Sequence, residues 1–161
     1  LTAQAVMLAL QGIPGIYFHS LAGTPNYTAG VEETGRARTI NRRKYEWGEL
    51  EALLSDEAGI ARQVLGGYRH LLAVRRAQPA FHPDAAQKVV SPQHPAQVVF
   101  LRASTDAAQR VLVLANCTRE STSFSCATAG VGPPRRDLLT GETELSDDLL
   151  LEPFAVRWLV M

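Results

Sequence analysis

The sequence has only two cysteines, Cys117 and Cys126, and no surplus of charge, with 16 lysines and arginines against 16 aspartates and glutamates. Two cysteines build no disulfide framework, and neither sits in a CxxC pair or beside spaced histidines, so a reducing cytoplasm is the default compartment. A net charge of zero removes the electrostatic grip by which proteins hold nucleic acid or anionic lipid, and neither partner is expected. Long apolar runs are missing too: Gln4, Gln11, Gly12 and Pro14 interrupt the longest well short of the ~20 residues of a membrane span. Formal charge is absent from Leu1 to Val31. Charges are shut out where nothing can pair them, so this stretch is expected to be buried on most sides within something larger. It opens without an initiator methionine or the basic flank of a secretory signal, and reads as a cut rather than a start. What is present, 161 residues of which 46% are hydrophobic, suffices for one core and a small second one.

Three stretches follow one another. Thr2 to Gln11 is apolar apart from Gln4 and its ends, and Gly12 follows as a C-cap residue, so a short, nearly encircled helix is expected. Ile16-Tyr17-Phe18, flanked by Gly and Pro and ending at His19-Ser20, suits a buried parallel strand. Leu21 to about Ser55 shows no sustained period and reads as a long loop, of the kind usually kept for function. Helical spacing returns from Asp56 to Arg76, with Ala61, Val64, Leu65, Tyr68, Leu71, Leu72 and Arg75 on one face, Ser55 or Asp56 as N-cap and Pro79 as stop. Beyond Pro83 come seven short strand-like runs: Gln87 to Val90, Gln97 to Leu101, Arg110 to Ala115, Thr122 to Ser125, Arg136 to Leu139, Leu149 to Leu151 and Val156 to Met161. Turn residues separate them, which indicates an antiparallel sandwich or sheet module.

Tests for chemistry remove most classes. His19, His70, His82 and His94 are scattered without ligand spacing, so no metal is expected. No GxSxG elbow exists, and Cys117 reads as a half-buried strand residue. Gly12-Ile13-Pro14-Gly15 is too apolar and wrongly spaced for a phosphate loop. The informative stretch is Gly35 to Lys44, where Arg36, Arg38, Arg42, Arg43 and Lys44 crowd into ten residues. Without interleaved aromatics it makes a poor nucleic-acid arm. It is either a solvated face or a place where a guanidinium donates two parallel hydrogen bonds to a diol or a phosphate.

Gly12-Ile13-Pro14-Gly15-Ile16-Tyr17-Phe18 resembles the G-[IV]-P-x-[IV]-Y segment at the eighth strand of the (β/α)8 barrel in the α-amylase superfamily. The usual continuation there is Gly and an acidic pair, whereas this chain continues His19-Ser20-Leu21-Ala22-Gly23. That departure is similar to the sucrose phosphorylase branch with its glucosylglycerate phosphorylase relatives, as are Thr34-Gly35-Arg36-Ala37-Arg38-Thr39-Ile40-Asn41-Arg42 and Gln78-Pro79-Ala80-Phe81-His82-Pro83. The tail ending Val156-Arg157-Trp158-Leu159 suits it also.

The resemblance implies an α+β chain made of the C-terminal edge of a (β/α)8 barrel, about two helices and one strand, followed by an antiparallel all-β C-terminal domain. Residues 1–78 would end the barrel and residues 79–161 would form the β-domain. The loop after His19 would then open into the site, since barrel active sites sit at the C-terminal ends of the strands. The family's first Arg of R-x-I-N-R, which binds the glucosyl 4-hydroxyl, falls on Arg38; His19 and Ser20 are weaker candidates for the acceptor side. A retaining enzyme needs two carboxyl groups about 5 Å apart. In the family these come from earlier strands, so no catalytic residue is assigned here, Glu32 and Glu33 read as loop acids, and the chain alone is expected to be inactive. The implied partners are a glucosyl donor and phosphate, with self-association through an exposed barrel edge; no cofactor is implied. The alternative is a non-catalytic structural or sugar-binding β-domain.

Overall fold

Short runs between turn signals form seven strands in the computed structural model, which describes Leu1–Met161. They are β1 (Ala86–Val89), β2 (Gln97–Ala103), β3 (Arg110–Asn116), β4 (Thr122–Ser125), β5 (Arg136–Asp137), β6 (Asp148–Leu151) and β7 (Val156–Val160). The helices are α1 (Thr2–Ala9), α2 (Phe18–Leu21), α3 (Thr28–Thr34), α4 (Trp47–Ser55), α5 (Ile60–Arg76) and α6 (Cys126–Ala129). The chain is α+β, and it divides into two units: Leu1–Pro14 with His70–Met161, and Gly15–Arg69.

In the first unit, five strands form an antiparallel sheet in the order β1-β2-β3-β7-β5, and β4 pairs with β6 in a second sheet. The two-residue period sorts β3 between two faces. Leu112 and Leu114 join Val99 and Leu159 in an apolar cluster that Phe124, Leu149 and Leu151 of the smaller sheet complete. On the opposite face Phe100, Val113 and Trp158 stand in one cross-strand row, and the Phe81 ring lies 4.7 Å from that of Trp158. Each such buried side chain contributes about 1.5–3 kcal/mol by leaving water. Two polar side chains tie the turns to this core. Asn116 donates to the carbonyls of Glu120, Leu151 and Glu152, while Gln97 donates to Thr122 Oγ1 and accepts from the amides of Gln93 and His94.

Helix α1 packs against β3 and β7, burying Ala5, Leu8 and Ala9. Its end differs from expectation. The helix stops at Ala9 and Leu10 turns extended, so Gly12, at φ +99°, makes the following turn rather than the cap. Two arginines take the free carbonyls instead. Arg102, fully buried on β2, donates to Ala9 O at 2.7 Å, His82 O at 2.9 Å and Ala85 O at 3.1 Å. Arg75 donates to Leu8 O and Gly12 O. Both guanidiniums lie within 6 Å of the Phe81 ring centre, and no carboxylate pairs with either. Burial lowers both pKa values, with Arg75 adding its repulsion at Arg102. Two cations at a helix C-terminus complement its dipole, which explains how a desolvated charge is tolerated without an acid.

The second unit corrects three expectations. Ile16 and Tyr17 form no strand, and Phe18 begins α2, because a strand needs hydrogen-bonded neighbours and this chain supplies none there. The stretch from Leu21 to Ser55 is not a bare loop: it holds α3, a 3-10 turn at Ala37–Asn41, and α4. Leu50, Leu53 and Leu54 carried the helical spacing of α4. Helix α5 starts at Ile60 rather than Asp56, because Asp56 closes α4 and its Oδ1 accepts from Ala58 N in a local turn. In the first unit, Cys117 lies exposed just past β3 rather than within a strand, and Cys126 is the buried one, its thiol pushed up to about 11 chiefly by desolvation.

Candidate functional site

The arginine-rich stretch, His19 and Ser20 all lie in the unit Gly15–Arg69. Its backbone is pinned where the sequence is least regular. Tyr27 N donates to Ile40 O at 2.6 Å, Tyr17 Oη donates to Asn41 O at 2.7 Å, and Thr34 Oγ1 lies 3.0 Å from Thr39 Oγ1. Gly30 is required: a Cβ there would stand 2.1 Å from the Tyr27 ring. These bonds clamp α3 to the Ala37–Asn41 turn that carries Arg38.

His19 sits half-buried in α2, with its ring 5.4 Å from Tyr17, 5.2 Å from Phe18 and 5.9 Å from Tyr45. Its Nδ1 is 2.7 Å from Thr24 Oγ1, which fixes the ring plane and directs Nε2 away from that bond. Ser20 is exposed beside it. Arg43 turns inward, over Tyr45 at 4.6 Å and Tyr27 at 5.7 Å, and pairs with Glu49 of α4. The Tyr27 hydroxyl donates to Glu33 Oε2 at 3.2 Å; that bond and the Glu33 charge raise the phenol's pKa, with Arg43 working against them.

Arg38 is different. It is exposed and takes part in none of the chain's ion pairs, so its five donors face outward. Arg36 and Arg42 are exposed as well, and no hydrogen bond joins Arg38 to His19 or Ser20. The structure therefore gathers His19, Tyr17, Tyr27, Tyr45 and Arg43 into one aromatic and cationic cluster and leaves Arg38 free. Sequence reasoning did not single out the tyrosines, since no period links positions 17, 27 and 45; only the packing of Tyr27 and Tyr45 on Arg43 and of Tyr17 on His19 shows the role. Such a surface can donate and stack, the two acts by which sugars and oxyanions are held. Glu33 and Glu49 are each already engaged, by Tyr27 and Arg43. No three acids, histidines or cysteines converge as metal ligands, and no helix is long and apolar enough to cross a membrane.

Among solved structures the chain is similar, over 99% of its length, to trehalulose synthase from Pseudomonas mesoacidophila at a TM-score of 0.70 and 18% identity. It covers 38% of that chain. Isomaltulose synthase from a Klebsiella species matches 99% of the chain at a TM-score of 0.71 and 15% identity, with 37% of its own length covered. The fold is that of a part of these enzymes. More particularly, the chain is 36% identical over 160 residues to the glucosylglycerate phosphorylase of Allomeiothermus silvanus, a match over 99% of the chain and 26% of that protein. It is 45% identical over 118 residues to that of Spirochaeta thermophila, and 42% identical over 82 residues to that of Escherichia coli, covering 20% and 15% of them. The chain spans about a quarter or less of the curated relatives it matches. No family profile matches it.

Proposed function

We propose that the chain is the C-terminal part of a retaining α-glucosyl phosphorylase that transfers glucose from sucrose or glucosylglycerate to phosphate. The observation that supports this reading is the match of 99% of the chain to only 26% of a glucosylglycerate phosphorylase. In that reading residues 1–78 close a (β/α)8 barrel, with α1 as its seventh helix, Ile16 to His19 as an eighth strand that pairs only when barrel neighbours are supplied, and α5 as its eighth helix. Residues 79–161 are the C-terminal β-domain. Arg38 donates to the glucosyl 4-hydroxyl, and its exposed, unpaired guanidinium supports that role. His19 and Ser20 line the acceptor side. The carboxylate nucleophile and the acid/base about 5 Å from it come from the upstream part of the parent. The parent thus forms a covalent glucosyl-enzyme that phosphate opens, in the cytoplasm, while the chain alone is inactive.

A chimera tests this directly. The matching C-terminal part of the Spirochaeta thermophila relative is replaced by this chain and assayed for glucose 1-phosphate release from glucosylglycerate, and from sucrose, with phosphate. Turnover by the chimera on either donor, with none from the isolated chain, is expected; a folded chimera inactive on both, or steady turnover by the isolated chain after repurification, overturns the reading.

A further inference from the structure

A cleft of about 610 Å³ lies in the β-unit and is untouched by the proposed glucosyl chemistry. Its origin is legible in the strand register. On the sheet face that carries the apolar cluster, one row reads Lys88, Leu101, Leu112 across β1, β2 and β3, and the next reads Ala86, Ala103, Arg110. Two alanines stand where neighbouring rows carry larger side chains, so the floor is low, and the segment Thr128–Val131 at the end of α6 walls one side. Arg110 is anchored on that wall by its donation to Val131 O.

The charge is one-sided. Lys88 and Arg110 line the cleft and no aspartate or glutamate does, in a chain whose charges cancel as a whole. Two strand spacings and a two-residue offset put their Cα atoms about 12 Å apart on the same face. Side chains of that length reach a common point over Ala103. Two convergent cations suit a dianion better than a monoanion, and a phosphomonoester carries about −1.5 to −2 charge at neutral pH. The rest of the lining is mostly apolar, with two hydroxyls set in it. Ser91 and Thr128 are exposed in it. The volume falls within the range of small-molecule sites.

We propose that this cleft binds a small phosphorylated polyol, with Lys88 and Arg110 on the phosphate and Ser91 and Thr128 beside the hydroxyls. The site stands apart from the Arg38 assignment and survives its failure. The test is amide-resolved NMR titration of the intact chain with glycerol 3-phosphate and glucose 6-phosphate, alongside inorganic phosphate and glycerol as halves of the ligand. Saturable shifts are expected at Leu101, Ala103 and Gly130, with a Kd below about 1 mM for an organophosphate and at least tenfold weaker binding for either half. Lys88→Gln and Arg110→Gln should each weaken binding about tenfold, and Arg62→Gln should leave it unchanged. Ala103→Leu fills the floor without touching a charge and should abolish binding, which keeps the test open if a charge variant unfolds. Absence of saturable shifts at the cleft up to about 20 mM, shifts confined to the Arg38 loop, or binding that survives Ala103→Leu overturns the site. Inorganic phosphate binding as tightly as both organophosphates overturns the polyol.

Discussion

Two arginines five positions apart meet opposite fates, and that difference is testable. Arg43 is spent on Tyr45, Tyr27 and Glu49, whereas Arg38 is exposed and unpaired. In the chimera, Arg38→Ala should lose about 10- to 150-fold in kcat/KM, the worth of a charge-assisted hydrogen bond of about 1.5–3 kcal/mol. It should also lose most of the discrimination between glucosyl and galactosyl donors. Arg43→Ala should loosen the loop while keeping that discrimination; equal, small effects from both would defeat the assignment. Asp137 gives a second test at this scale. It is fully buried, with Leu139 N on Oδ1 at 2.9 Å and Arg157 at 3.7 Å from Oδ2. Burial nevertheless wins and raises its pKa above 3.8, with Leu139 N–H and Arg157 opposing. A raised carboxyl binds its proton more readily folded than unfolded, so its contribution to stability grows as pH falls from the raised value toward the ordinary one. The stability of the wild type relative to Asp137→Asn should therefore rise as denaturation is measured from about pH 7 down to about pH 4. A flat difference would show that the ion pair prevails.

At the level of elements, the strands were readable and the helix ends were not. Short strand-like runs between turn residues marked all seven strands, even β3, which is buried on both faces and shows no alternation. The segment Ile16 to Phe18 has the composition of a strand and no partner, and pairing is a property of neighbours that no local pattern contains. Short α3 and α4 hid in a stretch rich in Gly, Pro and charge, although the leucines of α4 were there to be counted. In the candidate site, Arg38 came from a motif, while the tyrosines around Arg43 came only from the fold. The clamp on α1 shows the same limit: Arg75 sat visibly on the apolar face of its helix, but nothing marked Arg102 as buried. Arg102→Leu would leave the carbonyls of Ala9, His82 and Ala85 without their donor, and should cost about 3 kcal/mol or more in chemical denaturation. Arg102→Lys should recover only part of that, because an ammonium lacks the guanidinium fork. A loss within about 0.5 kcal/mol, as for a surface arginine, would mean that the clamp is idle.

For the whole molecule, the exposed apolar side chains set the behaviour in solution. Ile13 is 87% exposed and Leu10 40% in one unit; Trp47 is 74% and Ile60 73% in the other. Surfaces of this kind mark places where other protein belongs. The isolated chain should self-associate, with light scattering showing species larger than 17.5 kDa and Ile13→Ser shifting them toward monomer. A sharp monomer across the concentration range, with Ile13 and Trp47 open to solvent, would contradict this.

Helix α1 also imposes an order of events. Its last turn is held by Arg102, 93 residues further along, and Thr2 bonds to Phe154 O, 152 residues away. Closing loops of that length is entropically late, whereas the β2-β3 hairpin is local. During synthesis α1 leaves the ribosome well before the sheet on which it docks, and it must wait, apolar face bare, for β3 and β7. In refolding followed by pulsed hydrogen exchange, the amides of β2 and β3 should gain protection in an early phase and those of α1 in a later one. Helix α1 is thus the last latch of the β-unit, and the first segment at risk of capture by a chaperone or a neighbouring chain.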